Sequence, residues 1–206
     1  MKSITLIGYS GHAFVVCDIF ASQNLAIEGY CEKEEKKFNP YNLPFLGREN
    51  SVLSLETIKR NNYFVAVGDN RIRKKIIENL QNKLQKFPIN AIHKKASVSE
   101  TASLGYGVMI GNSSIINPCV SIGNGVICNT LSVVEHECEI GAYSHIAPGA
   151  ILCGNVKVGV NTFIGANSVI REGIKIGDGV IIGAGTVVIR DIPNNSKVVG
   201  NPQKHI

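Results

Sequence analysis

At 206 residues, with 44% hydrophobic and 18% charged side chains, the chain has the length for one to two domains and the composition of a soluble globular protein. No apolar run approaches the roughly 18 residues that span a bilayer, and the start lacks a signal peptide's apolar core and cleavage site, so a cytoplasmic protein without membrane insertion is expected. The net charge of +5 belongs to residues 1–95, with 15 Lys/Arg against 9 Asp/Glu, and without a long basic run or interleaved aromatics it argues against a nucleic-acid partner.

A solvated basic surface accounts for that excess, and attraction of a phosphate-bearing small molecule is the functional alternative. The six cysteines have no paired spacing, which argues against a disulfide framework and a structural zinc site. Most read as buried thiols acting as small hydrophobes, with Cys128 and Cys138 at inward positions of the six-residue cycle that starts at Ile92.

Residues 3–7 read as a buried strand ending in Gly8-Tyr9-Ser10-Gly11-His12, and residues 13–21 have helical spacing through Phe14, Val15, Asp18 and Ile19. A strand, a glycine turn and a helix form the βα entry at which backbone N–H groups can face a phosphate. The dinucleotide fingerprint is incomplete, because Ser10 stands where its second glycine would be. A second strand over residues 26–31 leads to Glu32-Lys33, at about the distance where an acidic residue meets a ribose hydroxyl. Residues 33–47 are charged and turn-rich, and Ser54 is the expected cap of a short helix over residues 55–60. Residues 63–67 read as a third strand. Gly68-Asp69-Asn70 then opens a long helix with Ile72, Ile76, Ile77, Leu80 and Leu84 on one face, and residues 87–92 read as a fourth strand. Residues 1–91 thus make a small parallel α/β unit, a Rossmann-like half-domain too short for a full dinucleotide fold. Binding belongs at the carboxyl ends of its strands, near residues 8–12, Glu32 and Gly68.

From Ile92 the chain follows a six-residue cycle. Stepping by six from Ile92 to Val188 gives seventeen positions, of which sixteen are Ile, Leu or Val and one is Cys128. The next position is Gly in eight hexads, and the fifth is small or branched throughout. A period of six fits neither a 3.6-residue helix nor a heptad, so the α reading fails on arithmetic. It fits a parallel β-helix over residues 92–206, in which the first and fifth side chains point inward and each coil buries them only by stacking on its neighbours. The tail that contains Gly200-Asn201-Pro202 closes the open end.

Polar residues that break this grammar stand out. Glu135 replaces the usual glycine in Val134-Glu135-His136-Glu137-Cys138, and His145 follows half a coil later. A lone surface histidine is bland, but an imidazole flanked by two carboxylates has the partner that holds a general base in one tautomer. A zinc site of the carbonic anhydrase kind needs three histidines on one metal, and only His136 and His145 are close in sequence, with His93 distant. A non-catalytic scaffold is a further reading, since solenoids need no site, and the acid-flanked histidine speaks against it.

Gly8-x-Ser10-Gly11-His12-Ala13, the segment from Val65 through Gly68-Asp69-Asn70 to Lys75, Ile92-His93, Glu135-His136-Glu137-Cys138 and Gly200-Asn201-Pro202 together resemble the PglD/NeuD family of bacterial sugar acetyltransferases. The resemblance covers essentially the whole chain. It implies a left-handed β-helix of hexapeptide repeats, a homotrimer, acetyl-CoA as co-substrate, no metal, and transfer of acetyl to a nucleotide-linked amino sugar of the UDP-4-amino-4,6-dideoxy type. Sugar O-acetylation, as on sialic acid, is the rival within the family. His136 matches the family's proton acceptor and Glu137 the acid that supports it. Ser10, Gly11 and His12 match the sugar-nucleotide loop, with Glu32, Lys33 and Gly68 at other substrate contacts. His145, Ala166 and Ala184 fall where acetyl-CoA is held between neighbouring solenoids. Glu32-Lys33 departs from an acidic pair common in the family, and Lys94 stands where Pro often follows the histidine.

Overall fold

Strands Ile4–Ile7 (β1), Ile27–Cys31 (β2) and Asn62–Val65 (β3) make a parallel sheet ordered β2-β1-β3 in the computed structural model, which describes residues 3–206. Met1 and Lys2, part of the start weighed against a signal peptide, lie outside the described residues. The chain divides at Lys94/Lys95 into two compact units.

In the first unit β1 is central and buried at every residue, as a strand covered on both faces must be. Helix α1 (Gly11–Ser22) follows β1 and buries Ala13, Val16, Cys17, Ile19 and Phe20. Gly8 makes the turn between them at φ +93°, with an added Cβ only 2.8 Å from Val67 Cγ2, so both conformation and space require glycine there. Helix α2 (Val52–Arg60) starts earlier than expected, because its cap is Ser51, whose hydroxyl accepts from Ser54 N. Ser54 itself is buried and donates to Leu46 O at 2.7 Å.

Helix α3 (Asn70–Leu84) is capped by Asp69, which accepts from Ile72 N, and buries Arg73, Ile77 and Leu80. The expected single apolar face therefore divides: Ile77 and Leu80 enter the core, whereas Ile72 is 53% exposed. The fourth strand is reduced to Ala91–Ile92, and Phe87 is exposed. Ile89 N still donates to Tyr63 O at 3.0 Å, but among the described residues no further strand joins the three-stranded sheet.

In the second unit every hexad supplies a two-residue strand and a turn. Parallel pairs join residues one coil apart, as in Cys128↔Ile146, Val134↔Leu152 and Ile140↔Val158, so a coil is three hexads, or 18 residues. Three faces result. The first includes Ile127–Cys128, His145–Ile146 and Phe163–Ile164; the second Val133–Val134 and Ile151–Leu152; the third Glu139–Ile140 and Lys157–Val158. The second residue of each strand points inward. Ile110, Cys128, Ile146, Ile164 and Ile182 stack at 0% exposure in one column. Burying each such side chain contributes about 1.5–3 kcal/mol.

Buried hydroxyls at fifth positions are satisfied by turn carbonyls, as in Ser144 Oγ to Gly159 O and Thr162 Oγ1 to Gly177 O, both 2.7 Å.

The outward residues differ by face. The second face carries Ile115, Val133, Ile151, Val169 and Val187 in one column, with Ile115 and Ile151 each 38% exposed. The third carries Ser103, Ser121, Glu139, Lys157 and Lys175, all exposed, with Lys157 Nζ donating to Glu139 Oε1 at 2.7 Å.

Candidate active site

Two clusters of functional side chains emerge, one in each unit. In the first unit the carboxyl ends of β1, β2 and β3 open on a cavity of about 730 Å³. Ser10, Glu32, Lys33 and Gly68 line it, together with Lys36, Asp69, Ile72, Lys75, Ile76 and Asn79. Gly11 and His12 are not part of that lining. His12 instead packs beside Gly68, where an added Cβ would lie 3.7 Å from its Cγ.

Glu32 spends its carboxylate on the local backbone. Oε2 accepts from Tyr9 N at 3.3 Å and Oε1 from Lys33 N at 3.0 Å, while Lys36 Nζ lies 3.6 Å from Oε2. The acid thus ties the end of β2 to the turn after β1. Ser10 caps α1 only through its backbone position, since its side chain makes no capping hydrogen bond. The helix entry keeps its partial positive charge directed outward, an arrangement suited to an anion.

Arg73 is the largest fully buried side chain, at 1% exposure. Its guanidinium donates from Nη1 to Val67 O and Gly68 O at 3.0 and 2.9 Å, and from Nη2 to Asn70 Oδ1 at 3.0 Å. It fixes the turn after β3 that forms one cavity wall. Burial, and then the Arg73 charge, lower the His12 pKa to about 4, so the ring is neutral at pH 7.

Sequence reasoning missed Lys36, Lys75 and Asn79. The signal was present in α3, because Ile72, Lys75, Ile76 and Asn79 recur at helical spacing and form the face turned to the cavity.

In the second unit His136 and Glu137 occupy the turn after the second face and are both exposed, their side chains at 58% and 65%. His136 Nδ1 lies 3.0 Å from Glu137 Oε2. A carboxylate accepts only, so Nδ1 is the donor of this pair, and in the neutral ring Nε2 is the acceptor. Glu137 adopts φ 61°, but Leu131 and Tyr143 share that conformation at other turns, so it is the fold's turn geometry rather than a mark of function. Glu135 is half-buried, and its N–H donates to Leu152 O at 3.0 Å.

The neighbouring thiols are poor nucleophiles. Burial pushes Cys138 up to about 11, and burial followed by Glu172 and Glu135 raises Cys153. Four cysteines are buried as expected, Cys153 is half-buried, and Cys119 is exposed.

The three residues expected to hold the co-substrate sit elsewhere on the prism. His145 is on the first face at 8% exposure, with Nε2 3.2 Å from Asn129 Nδ2 and its ring edge-on to Phe163 at 5.1 Å. Ala166 and Ala184 stack one coil apart at the corner after that face, joined by Gly185 N donating to Ala166 O at 2.8 Å. A single chain therefore puts Ala166 and Ala184 on a different corner from His136. Among the described residues no group of three or more His, Cys, Asp or Glu is placed to hold a metal ion. No helix among them is long and apolar enough to cross a membrane.

The stacked six-residue coils define the second unit as a hexapeptide-repeat solenoid. Residues 3–80 match the PglD N-terminal domain, and residues 155–190 match the hexapeptide repeat of succinyl-transferase. The chain is similar over 100% of its length to GDP-perosamine N-acetyl transferase from Caulobacter crescentus, whose histidine-to-alanine mutant was solved with CoA and GDP-perosamine. The identity is 32%, the TM-score 0.94, and 97% of that chain is covered. It is likewise similar over 100% of its length, at 33% identity and TM-score 0.92, to 99% of the acetyltransferase domain of PglB from Neisseria gonorrhoeae, solved with acetyl coenzyme A. WeeI from Acinetobacter baumannii shares the fold at 23% identity and TM-score 0.84, with 100% of both chains covered. The chain belongs to the PglD/NeuD-type bacterial sugar acetyltransferases of the left-handed β-helix class.

Proposed function

We propose that the protein transfers the acetyl group of acetyl-CoA to the amine of a nucleotide-linked amino sugar, with His136 as general base and Glu137 as its support. The observation that carries this reading is the exposed His136 imidazole, its Nδ1 held 3.0 Å from Glu137 Oε2 and its Nε2 presented as acceptor. Nε2 takes the proton of the sugar amine as the nitrogen attacks the thioester carbonyl. The Glu137 carboxylate then faces the imidazolium that forms. When the carbon–sulfur bond breaks, the proton on Nε2 is available to the departing thiolate, which leaves as coenzyme A thiol. No covalent link to the protein forms, and the raised Cys138 and Cys153 thiols are consistent with that.

The nucleotide part is assigned to the first unit's cavity, where Lys33, Lys36 and Lys75 offer charge to a diphosphate and Ile72 and Ile76 an apolar surface. A UDP-linked 4-amino-4,6-dideoxy sugar is the first substrate to offer. A GDP-linked amino sugar, the kind of ligand seen in the Caulobacter relative, is the second.

The acetyl-CoA site is assigned to the groove between two copies of a homotrimer, with Ala166 and Ala184 of one copy facing His136 of the next. The separate corners of these residues support that arrangement, as does the apolar column Ile115-Val133-Ile151-Val169-Val187 on the second face between them.

The test is purified protein with acetyl-CoA and a panel of UDP-, GDP- and CMP-linked sugars, read by thiol release. Turnover with an amino sugar that disappears in His136→Ala, while assembly and melting temperature persist, supports the proposal. No release with any amino sugar overturns it, and release with a hydroxyl acceptor alone makes the enzyme an O-acetyltransferase.

A further inference from the structure

Asn155 N donates to His136 O at 2.8 Å, so the turn holding Gly154 stacks directly on the turn holding the imidazole. A Cβ built on Gly154 would lie 2.5 Å from His136 Cε1, 2.6 Å from Nε2 and 3.2 Å from Nδ1. The imidazole therefore occupies the space that any other residue at 154 would fill. We infer that Gly154 is a positioning residue that seats the His136 ring with Nδ1 on Glu137.

Three features together make the ring, rather than the fold, give way to a side chain at this position. Its φ is not among the positive values, so its backbone conformation admits alanine. The atoms its Cβ would meet are all ring atoms of one exposed side chain, whereas at Gly141 they are backbone atoms of the next coil. The ring is free to swing into solvent, since the His136 side chain is 58% exposed. Alanine at 154 is accordingly accommodated by the fold at the expense of the ring's place. Ordinary carbon contacts begin near ~3.5 Å, so the ring must shift by about 1 Å, which also draws Nδ1 from the carboxylate.

This inference rests on the proposed role of His136, and two measurements keep them apart. A crystal structure of Gly154→Ala tests the steric part without any assay. A displaced imidazole is expected, and a ring still 3.0 Å from Glu137 overturns the inference.

Kinetics test the consequence. A misplacement of about 1 Å lowers kcat on the order of 100-fold. KM for both substrates should stay within a few-fold, and the melting temperature should be unchanged or slightly raised. In a His136→Ala background, Gly154→Ala should produce no further loss, because the residue acts only through the ring. Losses that multiply in the double variant, or a wild-type kcat in Gly154→Ala, overturn the positioning role. If His136→Ala itself leaves the rate untouched, the general-base assignment fails instead, and the displaced ring still stands.

Discussion

The neutral His12 ring beside Arg73 should make stability depend on pH in a defined window. Its pKa falls from an ordinary 6.5 to about 4, first because of burial and then because of the adjacent guanidinium. In the unfolded chain the ring takes up a proton as pH drops through 6.5, whereas in the folded chain it stays neutral down to about 4. The unfolded state therefore binds more protons between those values, and folding stability falls as pH falls across them. Above 6.5 both states are neutral, and the term has no slope there. At about 1.4 kcal/mol per pH unit, the full span from 6.5 to about 4 corresponds to at most about 3.5 kcal/mol. His12 is only half-buried as a residue, although its Nε2 is out of contact with solvent, so screening brings the realised loss to roughly half that value. The assay is urea unfolding of wild type and His12→Asn at pH 7.5 and pH 4.5, with both chains compared at each pH to remove the carboxylate contribution they share. Wild type should lose about 1–2 kcal/mol more than the variant on acidification. Parallel losses, or an NMR titration of the His12 ring centred near 6.5, would refute the desolvation argument.

Gly141→Ala should be destabilising where Gly154→Ala is not. Its Cβ would fall 2.5 Å from Gly159 C and 2.6 Å from Val160 N, and backbone locked into the next coil cannot move aside. A loss of about 3 kcal/mol or more in chemical denaturation is expected, with wild-type stability as the contrary result. Val133→Asp places a charge in the middle of the second face's apolar column, and if the proposed homotrimer packs through this face, sedimentation should show smaller species than for wild type. An assembly state unchanged from wild type would refute the placing of the proposed interface on this face.

The hexads were legible because a strict spacing of six has no competing helical explanation, and register then makes the coil 18 residues. His136 and Glu137 were legible because they interrupt that spacing with polar residues. The features missed depended on which partner each side chain meets in the folded chain. Ser54 was a plausible cap by residue type, but the hydroxyl facing the free N–H belongs to Ser51. On α3 the two apolar strips overlap within one turn, and periodicity does not say which faces the sheet and which the cavity. Residues 87–92 alternate well enough for a strand, yet Phe87 faces solvent and only Ala91–Ile92 pairs as one. Glu32 sits at the spacing of a ribose ligand, but its oxygens bind backbone N–H groups of Tyr9 and Lys33. Gly154 looked like any other turn glycine. It gains meaning only when 18 is added to 136, a sum available once the coil length is known.

The three-hexad coil also restricts how such a chain can change in length. Deleting or duplicating a single hexad ahead of Val134 would rotate everything downstream by a third of a revolution. After a deletion the lysines and glutamate of the third face would continue the column that holds Ile115, and the His136 imidazole would emerge at a different edge. Only whole revolutions preserve the phase, so viable length variants of this prism should differ in increments of 18 residues.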